Sequence, residues 1–67
     1  MEFKEQKLGA VRIRVSFEDL KEIKGIYTYL IKRHMIVLNK NLTANEQKQV
    51  LFKISQEMKN NKFCIIK

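Results

Sequence analysis

Proline is absent from this chain, glycine occurs only as Gly9 and Gly25, and cysteine and histidine occur once each. Two isolated glycines cannot build the loop whose backbone amides cradle a phosphate, which disfavours nucleotide-dependent chemistry. A single thiol, Cys64, excludes an internal disulfide, and Cys64 with His34 cannot complete a four-ligand zinc site. No metal and no cofactor are expected. His34 stands beside Lys32 and Arg33 with no neighbouring carboxylate to orient it, so it makes a poor general base. Cys64 lies in the apolar run "FCII", where a buried inert thiol is the expected state unless exposure lets Lys67 lower its pKa. No catalytic residue emerges, and the chain reads as non-enzymatic. The longest apolar run, "MIVL", is far below the roughly 20 residues that span a bilayer. The start "MEFKEQK" lacks the apolar region of a secretory signal, and a reducing cytoplasm is the simplest compartment.

What is present is a chain of 67 residues, 45% hydrophobic and 31% charged, which is globular composition. Its length suits one domain, residues 1–67, and a domain of that size buries only about 60% of its unfolded surface. The net charge of +7 is unevenly spread. Up to residue 22, five bases face five acids, whereas nine bases beyond it face only Glu46 and Glu57. That asymmetry suits an anionic partner, either nucleic acid or an acidic protein surface, and equally a lysine-rich solubilising surface.

Hydrophobic periodicity divides the chain. "AVRIRVSF" alternates, with Val11, Ile13, Val15 and Phe17 on one side and Arg12, Arg14 and Ser16 on the other, as a half-buried strand does. "SFEDLKEIKG" predicts a short helix, with Ser16 as N-cap, a Val15 to Leu20 staple and Gly25 as the stop. "GIYTYLIKRHMIVLN" predicts a hairpin of residues 26–31 and 35–38 around a "KRH" turn, because β-branched and aromatic residues dominate both runs. "LTANEQ" is a capping box that starts a helix over about 44–60, with Ala44, Val50, Leu51, Ile54 and Met58 as its inward stripe. "NNK" ends that helix, and "FCIIK" forms a last strand. The expected product is an α+β layer of order β-α-β-β-α-β, one sheet with a long amphipathic helix packed on it.

Two candidate surfaces follow. On the outward side of the long helix, Lys48, Phe52, Gln56 and Lys59 cluster, with Lys53 beside them. An exposed aromatic among lysines suits a partner anchor, while a covering arm, "MEFKEQKL" with Phe3 and Leu8, explains it equally well. The second surface combines Arg12 and Arg14 with Tyr27, Tyr29, Lys32 and Arg33, cations for phosphates and rings for bases. Tyrosines at i and i+2 also serve as one wall of a core. An exposed strand edge leaves room for a homodimer.

The stretch "KGIYTYLIKRHMIVLNKNLTANEQKQVLF" resembles the segment that precedes the metal helix in ImmA/IrrE-type metallopeptidases, over roughly residues 24–52. In that family a glycine-led hairpin, an I-x-x-N-x-x-L turn and a helix rising through Q-x-x-x-L lead into H-E-x-x-H. Carried over, that motif begins at Lys53, and this chain reads Lys53, Ile54, Ser55, Gln56, Glu57. Both imidazoles and the carboxylate that activates zinc-bound water are missing, so peptidase activity is not implied. The resemblance, with lysine-, isoleucine- and asparagine-rich usage, implies a phage or mobile element of a low-GC host. The function expected is a small basic regulator or inhibitor that occludes a protein target, with direct DNA or RNA binding as the alternative.

Overall fold

The computed structural model describes residues 2–60 and 62–67. Strand β2, Val11–Glu18, follows its alternation: Ile13 and Val15 are buried on one side, and Arg12 and Arg14 emerge on the other. Before it runs β1, Lys4–Leu8, paired antiparallel from Lys4↔Val15 to Leu8↔Val11. Sequence reading takes this segment as an arm, because its polar "KEQKL" carries no burial pattern. Its clue is Gly9 in the connecting turn, whose φ of 65° lies in the left-handed region that favours glycine.

The short helix expected from Ser16 does not form. β2 continues through Glu18, and Ser16, Phe17 and Glu18 lie beside Val37, Leu38 and Asn39 of a parallel neighbour. A helix of at most two turns, before any packing, repays its nucleation poorly, whereas the ladder satisfies these backbone groups at once. Ser16 does not cap; its hydroxyl donates to the Glu18 carboxylate at 3.1 Å. Residues 19–24 instead make a loop held from inside by buried Asn39. The Asn39 amide donates to the carbonyls of Lys21 and Ile23 at 3.0 and 3.1 Å, and its oxygen accepts from the Asn41 amide at 3.0 Å.

The expected hairpin is present as β3, Gly25–Leu30, and β4, Arg33–Asn39. Its turn is two residues rather than three: Ile31 and Lys32 both take positive φ, 52° and 59°, and Arg33 and His34 belong to β4. Helix α1, Ala44–Glu57, carries both halves of the expected capping box between Thr43 and Glu46, and Met58–Asn60 continue it as a single 3-10 turn. Of the expected "NNK" terminator, Asn61 lies outside the described residues, as does Met1 of the amino-terminal arm. Strand β5, Cys64–Ile66, pairs antiparallel with Gly25–Tyr27.

The result is an α+β fold: one five-stranded sheet in the order β1-β2-β4-β3-β5 with one helix packed on it. Among the described residues only the β2/β4 pair is parallel. The core lies between α1 and one sheet face, with Ile13, Val15, Tyr27, Ile36 and Leu38 from the strands and Val50, Ile54 and Met58 from the helical segment. Ala44, expected in the inward stripe, is exposed. Gly25 stops no helix. A Cβ there would meet Val50 Cγ1 at 2.8 Å, so its bareness lets helix and sheet approach closely.

Candidate interaction surfaces

The outward side of α1 presents Lys48, Phe52, Lys53, Gln56 and Lys59, all exposed. Spacings of four, four and three residues from Lys48 to Lys59 put one cation, the ring, the amide and a second cation on a single stripe. Phe52 keeps 63% of its surface exposed. The arm does not cover it. Residues 4–8 are committed to the ladder with β2, and Leu8 packs against the core. The Ser55 hydroxyl donates back to the Phe52 carbonyl at 2.6 Å, a bond confined to the helix.

The second candidate set is split by the sheet. Tyr27 is completely buried on the helix side, where its ring stacks on His34 with centroids 5.9 Å apart. Its hydroxyl lies 2.7 Å from His34 Nδ1. Burial, aided by neighbouring Tyr29, raises the Tyr27 pKa, so the phenol keeps its proton through the neutral range. Tyr29 tilts on the same imidazole at 4.9 Å. A ring with no exposed surface cannot stack on a base, so Tyr27 leaves the nucleic-acid set. The cations do converge: Arg12, Arg14, Lys32 and Arg33 line one depression at the turn end of the sheet, together with Glu5 and His34.

On the side of the sheet away from α1, register brings other residues together. Ser16, Val37, Ile26 and Ile65 form one row across β2, β4, β3 and β5, and Arg14, Met35 and Thr28 form the next. Val37, Ile26 and Met35 are half-buried, whereas Leu30 and Ile65 are exposed. Sequence reading missed this apolar strip, although it had a signal. "MIVL" is apolar at every position rather than alternating, the pattern of a strand that needs cover on both faces.

Chemistry elsewhere is sparse. Cys64 is half-buried, and its pKa is raised by burial and then by the charge of Glu57, so Lys67 does not activate it as a nucleophile. Among the described residues no three histidine, cysteine or acidic side chains gather as metal ligands do, and no helix is long and apolar enough to cross a membrane. At the positions aligned with the peptidase motif, Lys53 and Glu57 face solvent, and Ile54 is wholly buried under the helix. Compared with protein-family models, curated proteins and solved structures, the chain matches none.

Proposed function

We propose that this chain is a small basic regulator or inhibitor that acts without catalysis, by docking on a protein and occluding its working surface. The observation that carries this reading is Phe52: a large ring 63% exposed in mid-helix, ringed by exposed lysines and left uncovered by the arm. An aromatic in that setting costs solubility, and with basic neighbours it makes an anchor for an acidic or nucleic-acid-binding protein surface. The lysines speed encounter, and the ring slows release. In the same reading the chain is a stripped relative of the ImmA/IrrE peptidases carried by a phage or mobile element, which retains the helix as a presenting scaffold and works in the host cytoplasm. A photo-crosslinking residue at position 56 tests it in cells of the source organism. One protein is trapped, and Phe52→Ala reduces its capture at least tenfold while the thermal midpoint stays in place. Capture unchanged by Phe52→Ala ends the reading.

A second reading, direct DNA or RNA binding, draws on the convergence of Arg12, Arg14, Lys32 and Arg33 at one depression. Oligonucleotide affinity that falls with salt and vanishes in the Arg12→Ala, Arg14→Ala double variant supports it. Absence of binding at low salt removes it.

A further inference from the structure

Across β3, β5 and the turn half of β4, the sheet face turned away from α1 has the composition of an interior and the cover of a surface, while its other end buries Ser16 and Asn39. β3 and β4 carry apolar residues on both sides: Tyr27, Ile36 and Leu38 toward the helix, Ile26, Leu30, Met35 and Val37 away from it. In α/β layers such two-sided strands are sandwiched, whereas a strand with one wet side alternates. Here no second layer covers that strip among the described residues: Ile26, Met35 and Val37 stay half-buried, and Ile65 of β5 extends it to the sheet edge with 42% of its surface exposed.

The hairpin turn adds an independent observation. Two-residue turns with both residues at positive φ favour Asn-Gly, because L side chains, and β-branched ones above all, are strained there. This turn places Ile31 at φ 52° and leaves 87% of its surface in water. The fold gains nothing from isoleucine at that position: the conformation disfavours it, and burial does not repay it. A strained, exposed apolar side chain is the kind of outlier from which a functional contact is inferred. Ile31 lines a shallow depression on this face with Leu30, Met35, Arg14 and Arg33.

We infer that this face is a docking site for an acidic amphipathic segment of a partner protein. The apolar side of the segment covers Ile26, Val37 and Ile65 and takes Ile31 as an anchor. Its carboxylates meet Arg12, Arg14 and Arg33, whose planar guanidinium groups match a carboxylate with two parallel hydrogen bonds. Charge selects the occupant: a second copy of this chain brings the same net +7, and a basic segment meets three arginines. The strip is aliphatic rather than aromatic, which suits a protein's apolar side better than stacked bases. This site rests on the reading of the chain as a protein-binding module but not on Phe52, which lies on the other side of the sheet.

The test is selection from a displayed library of random 16-residue peptides against the folded protein. Binders are expected to be net negative with apolar residues on one side, and to shift amide resonances of β3, β4 and β5 rather than α1. Two variants separate binding from folding. Ile31→Asn relieves the turn, so it raises the thermal midpoint while weakening the selected peptides at least tenfold. Arg14→Glu with Arg33→Glu weakens them further at unchanged fold, and Phe52→Ala leaves them alone. Neutral or basic binders, shifts confined to α1, or undiminished binding by Ile31→Asn overturn the inference; shifts on α1 lost with Phe52→Ala leave the helix-face reading standing. A twenty-nucleotide oligo(dT) that displaces the peptides assigns the face to nucleic acid and overturns it too, as does a concentration-dependent dimer abolished by Ile31→Asn.

Discussion

The two faces of the sheet are built from the same strands and differ in what closes them. Toward α1, Tyr27, Ile36 and Ile54 have no exposed surface at all, and Gly25 is pared to a hydrogen so that Val50 can approach. On the other side, aliphatic residues from the same strands stay half-buried, and arginines stand at their margin. Apolar content is therefore a poor guide to where the stability of this domain resides. What separates a core from a docking surface is closure: among the described residues the helix closes one face along its length, whereas on the other only the end at Ser16 and Asn39 is buried.

Equal truncations on the two faces expose that difference most directly. Ile54→Ala removes methylene groups from a site enclosed by sheet and helix, and should cost about 2–5 kcal/mol, enough to unfold much of so small a domain. Ile65→Ala deletes the same groups at a residue with 42% of its surface already in water, and should cost less than about 1 kcal/mol. Urea unfolding of both variants measures the contrast. Equal costs would mean that the open face contributes to the core as much as the covered one.

The next effect is smaller and lies at the end of the open face, where buried Asn39 ties the loop of residues 19–24 to β4. Asn39→Ala leaves the carbonyls of Lys21 and Ile23 without their donor and should cost about 1–3 kcal/mol. Hydrogen exchange should show the loss concentrated at Ile23, Lys24 and Asn41, whose amides are bonded in or beside this loop. Uniform loss across the sheet would make Asn39 a general core residue instead.

How much of this was legible in the sequence follows the same division. Elements whose signal is local were readable: the alternation of β2, the capping box of Thr43 and Glu46, the inward stripe through Val50, Ile54 and Met58, and the β-rich hairpin. Features decided by a distant partner were not. Ser16 carries helix-start chemistry, yet a parallel neighbour more than twenty residues away claims the backbone of Ser16 to Glu18. β1 has no apolar pattern because it is an edge strand with charged sides, and only pairing reveals it. Of the candidate residues, Phe52 and the helix lysines are exposed as read, and Arg12, Arg14, Lys32 and Arg33 cluster. Tyr27 went astray because strand parity gives its side but not which side the helix covers.

The smallest effect concerns the polar pair that the covered face tolerates. Tyr27→Phe keeps the ring and deletes the hydroxyl hydrogen-bonded to His34 Nδ1, so at neutral pH it should cost about 1 kcal/mol, half-buried His34 being able to turn to water. Its pH dependence is more telling. Burial raises the Tyr27 pKa in the folded chain above its ordinary value of 10.0, so the unfolded chain gives up this proton first. The contribution of the neutral phenol is therefore fully present below about pH 10 and is lost as pH rises through the folded-state pKa. The stability gap between the natural chain and Tyr27→Phe should narrow above that pH, a comparison in which the titration of the lysines cancels. A gap that holds constant through the alkaline range would mean that Tyr27 reaches solvent, and the face under α1 would then be less closed than the packing of Tyr27 against His34 implies.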